Sequence, residues 1–252
     1  MGRFASTVAY YEGARPPYGA AFFSTVARRL AFERGTRLLD VGTGPGLLAI
    51  GFAPFCGEVV GVDPEPAMIE AARSSAEREA SAVRLVEGRF EDLAGSLGTF
   101  GAVTIGRAIH WLDPEPARNA LDSLVAPQGL ILVCNAASVT DGRNRWLETF
   151  NAVRNRWRGE HPNRDQDAFF AGGPFVRRES ISVETVYRAP IERLADRVLS
   201  MSTSSPERLG GEVPAMRSAL GEALASFATD GAVEEIVEAR AEVYMRRGRE
   251  SG

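Results

Sequence analysis

The sequence predicts an α/β fold, a mostly parallel sheet of seven strands with helices on both faces. Three observations carry the prediction. From Arg37 to Cys134 short apolar runs alternate with stretches of helical spacing. The first of these runs ends in a turn with three glycines, Gly42, Gly44 and Gly46. Near the other end of the chain, Ser180–Ala189 and Val237–Met245 alternate apolar and polar residues, the period of a strand with one buried face.

A chain of 252 residues is long enough to bury a large core and fits one α/β domain with additions. Its apolar share of 44% and charged share of 25% are those of a globular protein, and no run reaches the roughly 20 apolar residues of a membrane helix. The first residues, Met-Gly-Arg-Phe-Ala-Ser-Thr, lack an apolar core followed by a cleavage site, so the expected location is the cytoplasm. Cys56 and Cys134 fit no metal-ligand spacing, and no metal is expected. All 29 basic residues are arginine, which points to a genome rich in G and C. A net charge of −4 with a pI near 5.5 argues against a nucleic-acid partner.

The elements follow in order. Residues 1–35 hold Tyr10, Tyr11, Arg15, the Pro16-Pro17 break and Tyr18, then an amphipathic run with Phe22, Phe23, Val26 and Leu30 near helical spacing. Leu38, Leu39 and Val41 read as a buried strand, and Leu47–Phe52 as the opening of a helix. Between them, glycines let the backbone take positive φ and let a ligand approach main-chain N–H groups at a helix start. A dinucleotide fingerprint G-x-G-x-x-G would need a small residue at position 47, which is Leu. The pattern is instead D-x-G-x-G-x-G, and Asp40 suits a cationic ligand better than a pyrophosphate.

At this point the sequence resembles the class I S-adenosylmethionine-dependent methyltransferases, whose first motif is an acidic residue followed by G-x-G-x-G. The resemblance implies a Rossmann-like sheet closed by an antiparallel β6–β7 hairpin, with S-adenosyl-L-methionine as cofactor and S-adenosyl-L-homocysteine as product. It implies that Asp40, Gly42, Thr43, Gly44 and Gly46 hold the cofactor. The segment Y-Y-x-x-A-R-P-P-Y is similar to the lid that small-molecule members fold over the cofactor, which brings in Tyr10 and gives Arg15 a carboxylate to reach.

Glu58–Asp63 is a second strand ending in an acid, and the helix after it, Pro64–Ala80, contains Met68. Asp63 lies 17 residues beyond Gly46 (63 − 46), near the spacing at which a carboxylate takes a ribose diol. Pro64 and Met68 are expected beside it. In the third strand and its exit, Val83–Leu93, the family commonly has Asp directly after the glycine; here that position is Arg89, so Glu91 or Asp92 is expected to replace the adenine acceptor, with Phe90 as a wall. The fourth strand, from Phe100, ends in Gly106-Arg107-Ala-Ile-His110-Trp111-Leu-Asp113. Its His-Trp-Leu-Asp resembles a motif of small-molecule methyltransferases that include trans-aconitate methyltransferase-like proteins. Gly106 is expected at the cofactor, Arg107, His110 and Trp111 near the transferred methyl, and His110 as a candidate general base.

Pro114–Leu124 reads as a helix and Ala126–Cys134 as the fifth strand. Trp146, Phe150, Val153 and Trp157 form a helical stripe, with Arg143, Arg145, Arg154, Arg156 and Arg158 around it. Most of these arginines read as a solvated face, and one or two as able to meet an acidic substrate. Asp165–Pro174 reads as a lid loop, and two helices are expected over about 192–203 and 212–228. The expected organisation is one domain: an N-terminal lid segment 1–35, a cofactor-binding core 36–135, substrate-cap insertions 136–180 and 192–228, and final strands 181–189 and 233–246. The acceptor implied is a small molecule methylated on O, N or C by a monomer or homodimer, with no membrane partner. A nicotinamide-dependent oxidoreductase, a macromolecular methyltransferase and a protein that binds the cofactor for another purpose are the competing readings.

Overall fold

A computed structural model describes Tyr10 and residues 13–159, 166–201 and 203–248. All seven expected strands are present: β1 Arg37–Val41, β2 Glu58–Asp63, β3 Arg84–Glu87, β4 Phe100–Gly106, β5 Val125–Ser138, β6 Phe175–Pro190 and β7 Ala232–Arg246. Their order is β3-β2-β1-β4-β5-β7-β6. Strands β1 to β5 pair in parallel, and β6 and β7 form the antiparallel pair. Chain order reverses between β1 and β4, and beyond the carboxyl ends of strands at such a reversal α/β sheets bind ligands.

The chain divides into two compact units. A core unit comprises Ala20–Asn135, Pro162–Val183 and Arg240–Gly252; a second unit comprises Met1–Gly19, Ala136–His161 and Glu184–Ala239.

In the core unit the central strands are apolar on both faces, as parallel strands covered by helices must be: Leu38, Leu39 and Val41 of β1 are all buried. Helix α1 (Ala20–Arg29) buries the expected Phe22 and Val26. Helices α2 (Leu47–Phe52), α3 (Pro66–Arg78), α4 (Phe90–Leu97) and α5 (Pro114–Leu124) follow their strands in turn. One segment departs from expectation. Asp165 lies outside the described residues, but Gln166–Phe170 is a short helix, α7, rather than lid loop. Phe169 and Phe170 are buried, and Phe170 stacks on Tyr244 of β7 with ring centres 4.1 Å apart. The Tyr244 hydroxyl donates to Asp167 and accepts from Gln166 Nε2. Adjacent phenylalanines mark core here, because burial of two aromatic rings outweighs the loop signal of the glycines that follow.

In the second unit Trp146, Phe150 and Val153 of the stripe are buried, Trp146 just before helix α6 (Leu147–Arg154) and the other two on it, while Trp157 lies beyond its end and is half-buried. Tyr10 packs against the same apolar cluster, while Tyr11 lies outside the described residues. Helix α8 (Ile191–Leu199) stops earlier than expected. Ser200 and Ser204 hydroxyls donate to the carbonyls of Arg197 and Val198, giving the last turn side-chain partners in place of further helix. Helix α9 (Pro206–Leu209) and helix α10 (Val213–Leu224) complete the unit.

Its centre carries an ion pair. Arg197 makes two hydrogen bonds to Glu235, at 2.7 and 2.9 Å, with the two side chains 7% and 1% exposed. The Ser138 hydroxyl donates to Glu235 at 2.6 Å, and Arg197 Nε donates to the carbonyl of Ala14. Arg15 in turn donates to the carbonyl of Ser200 at 2.9 Å. Thus the segment at Ala14 and Arg15 is bonded to α8 and its exit.

Candidate functional site

Register brings the motif residues together. Val41 stands opposite Val62 of β2 and Ile105 of β4, so Gly42, Asp63 and Gly106 reach the same edge of the sheet together. Gly42, Gly44 and Gly46 have φ of 65°, 53° and 86°. Side chains are disfavoured at all three, so the turn requires glycine. Thr43 N–H donates to the carbonyl of Val62 at 3.0 Å, tying the turn to β2, and Gly46 then caps helix α2 in the left-handed conformation.

Asp40 organises this turn from beneath. It is 1% exposed. One oxygen accepts from the Thr43 hydroxyl and the other from the Thr104 hydroxyl on β4, both at 2.7 Å. A backbone hydrogen bond from Ala49 at the start of α2 adds a third contact. The Asp40 oxygens thus face protein donors of the glycine turn, of β4 and of α2. Burial pushes its pKa from 3.8 up to about 6, against the lowering effect of the two hydroxyls. Sequence reasoning missed Thr104; a lone hydroxyl residue in the apolar run Ala102–Ile105 was the available signal. It also missed Gly61 of β2, where a Cβ would stand 2.8 Å from the Thr43 hydroxyl and 3.0 Å from Leu85.

Asp63 is held from both sides. Oδ2 accepts from Gly44 N–H and Oδ1 from Glu65 N–H, each at 2.9 Å. It is 8% exposed, and burial raises its pKa. A carboxylate oxygen has lone pairs for more than one donor, so acceptor capacity remains for a ligand. Beside it, Gly88 N–H donates to the carbonyl of Asp63, which sets the loop after β3 against the end of β2.

The other candidates divide. Met68 is buried, its sulfur 4.0 Å from where a Cβ on Gly44 would lie, and among the described residues beyond Gly44's chain neighbours no other atom comes within 4 Å of that position. Pro64 is exposed. Arg89 precedes α4 and donates to Glu91 at 3.1 Å, so Glu91 has one acceptor engaged. The Phe90 ring is buried in the core cluster together with Leu97 of the same helix. At the end of β4, Arg107 takes a left-handed φ of 55° and donates its N–H to the carbonyl of Cys134. His110 and Trp111 lie on the 3-10 turn Ile109–Trp111 with ring centres 4.8 Å apart; His110 is half-buried and Trp111 is 37% exposed. Tyr10 and Arg15 belong to the second unit, with the partners given above. Among the described residues no group of three or more His, Cys, Asp or Glu side chains is placed to hold a metal ion, and no helix is long and apolar enough to cross a membrane.

The donor set fits a nucleoside. A glycine turn, a helix start and a fixed carboxylate at the next strand end supply close backbone approach and paired acceptors for a diol. Residues 38–129 match the sequence profile of a family described as "Methyltransferase domain". Over 117 residues, 46% of the chain, it is 36% identical to a ubiquinone biosynthesis O-methyltransferase of Methylocella silvestris, and the match spans 43% of that relative's length. An uncharacterized methyltransferase of Mycobacterium bovis is 29% identical over 79% of the chain and 76% of its own length. The fold is similar to that of an S-adenosylmethionine-dependent methyltransferase from Thiobacillus denitrificans crystallised with S-adenosyl-L-homocysteine. There the TM-score is 0.56 at 18% identity, covering 98% of this chain and 99% of that one. The fold and the profile match point to one class: over residues 38–129 the chain is similar to methyltransferase domains, on a fold like that of S-adenosylmethionine-dependent methyltransferases.

Asp40 makes the site's stability depend on pH. A carboxyl whose folded pKa is raised stabilises the fold fully below its ordinary 3.8, and loses that contribution as pH rises through about 6. Above that, the buried charge costs on the order of 3 kcal/mol. Relative to Asp40→Asn, wild-type stability is therefore expected to fall between about pH 4 and pH 6 in urea titrations. Parallel profiles for the two proteins would remove the buried carboxylate from the account.

Proposed function

We propose that the chain binds S-adenosylmethionine and transfers its methyl group to an O, N or C atom of a small-molecule acceptor. The observation that carries this is the convergence of the glycine turn, Asp63 and the end of β4 at the point where strand order reverses. The His-Trp-Leu-Asp resemblance and the negative net charge support a small acceptor over a nucleic acid. The O-methyltransferase of Methylocella silvestris favours oxygen as the atom methylated.

When bound, the cofactor supplies an electrophilic methyl group on a sulfonium. The chain's own work is to bind, orient and exclude water. Gly42–Gly46 presents backbone at close range, and Asp63 accepts from the ribose hydroxyls while Gly44 and Glu65 N–H groups hold it still. Orientation of two reactants is worth roughly 7–11 kcal/mol, so a displacement of this kind proceeds without a catalytic triad. His110 is the group proposed to take the proton of a hydroxyl or amine acceptor.

Calorimetry tests the binding half. S-adenosylhomocysteine is expected to bind in the micromolar range, NAD hardly at all, and Asp63→Ala to weaken the former by roughly 1.5–3 kcal/mol. Tighter binding of NAD, or unchanged affinity in the folded variant, would overturn the reading. For the chemical half, His110→Ala is expected to slow turnover of a hydroxyl or amine acceptor about 10²–10⁴-fold with cofactor affinity kept. Wild-type rate and pH dependence in that variant would take His110 out of the mechanism.

A further inference from the structure

The second unit holds a cluster of arginines that its own carboxylates do not serve. Helix α6 ends at Arg154, and the chain continues through Arg158 to Gly159, whose N–H donates to the carbonyl of Thr203 at 2.9 Å. That bond brings the segment beside the entry to α9, where the Arg208 guanidinium lies against Gly159. A Cβ built on Gly159 would fall 2.6 Å from Nη2 of Arg208 and 2.9 Å from its Cζ. Four other arginines of the unit are paired: Arg143 with Asp141 and Glu184, Arg188 with Asp230, Arg197 with Glu235 and Arg217 with Asp196. Among the described residues none of Arg154, Arg158 and Arg208 has a carboxylate within ion-pairing distance.

Arg154 is the most constrained of the three. It is half-buried, and its guanidinium carbon lies 6.0 Å from the centre of the Phe150 ring. Nη2 donates to Asn155 at 3.3 Å, but Nε is buried with no acceptor. Burial, and then the like charge of Arg158, both lower its pKa. A guanidinium removed from water without a counter-charge is costly, and an anion docked on it would offset that cost. Arg158 and Arg208 are exposed, so the cluster is open to solvent. The planar fork of arginine matches carboxylate and phosphate oxygens in pairs.

We propose that Arg154, Arg158 and Arg208 form an anion-binding site for the carboxylate or phosphate group of a small molecule. The site rests on the second unit alone and stands or falls separately from the methyl-transfer reading.

The experiment is a calorimetric titration of the full chain with inorganic phosphate and, separately, citrate, at ionic strength held constant with sodium chloride. Saturable binding of at least one is expected, and the tighter of the two identifies the group the site prefers. Arg154→Gln and Arg208→Gln are each expected to raise the dissociation constant about tenfold or more, the scale of a lost hydrogen bond to a charged group. Arg178→Gln, an exposed arginine of the core unit, serves as the control and should bind as wild type. Because Arg208 is exposed, its variant keeps the fold even if Arg154→Gln does not, and circular dichroism checks both. Absence of binding by both anions, or wild-type affinity in the folded Arg208→Gln variant, would overturn the proposal.

Discussion

The site depends on one buried carboxylate. Asp40 joins three pieces of chain: the glycine turn through Thr43, strand β4 through Thr104, and the start of α2 through Ala49. Each hydroxyl it accepts from is itself near-buried, so these bonds compete with little water and gain strength from the low local dielectric. The turn they hold has three left-handed residues in five, a conformation that only surrounding contacts and glycine can maintain. From this follows the position of Gly44 N–H, and from Gly44 the position of Asp63. A chain of hydrogen bonds thus runs from the core of the sheet to the open edge where a ligand would sit.

The second unit is organised by the same kind of interaction with opposite sign. The Arg197–Glu235 pair is buried, and its remaining polar atoms are met by Ser138 and the carbonyl of Ala14. Burying two charges repays its desolvation cost only when geometry is good and the leftover donors and acceptors are filled, and here they are. Halving such a pair typically costs about 3–5 kcal/mol. The bond to Ala14 gives the N-terminal segment a fixed attachment that no local sequence pattern announces.

Most of the fold was legible because it rests on local period. Alternation over 180–189 and 237–245, apolar runs at 38–41 and 58–63, and the helical stripe from Trp146 all became the elements their spacing specifies. Strands β5, β6 and β7 run longer than read, since pairing with neighbours extends a strand past its apolar centre. What was not legible depends on distance along the chain. Thr104 meets Asp40 across 64 residues and Arg197 meets Glu235 across 38, and no local pattern names either partner. Gly61 lies inside a strand, and the Thr43 side chain that requires glycine there comes from a different segment. At Phe169 and Phe170 two local signals conflict: the glycines beside them favour a loop, their own rings favour core, and burial decides.

The central claim is that Asp40, itself out of reach, keeps the glycine turn ready for a nucleoside. Thr104 tests it most directly, because it is fully buried within β4 and its hydroxyl donates to Asp40's carboxylate at 2.7 Å and lies 3.5 Å from the carbonyl of Leu39. The measurement is the affinity of S-adenosylhomocysteine for Thr104→Val, taken beside its melting curve to establish that the variant is folded. The account predicts a loss of about tenfold, the size of one hydrogen bond to a charged group. Wild-type affinity in a folded Thr104→Val protein would contradict it.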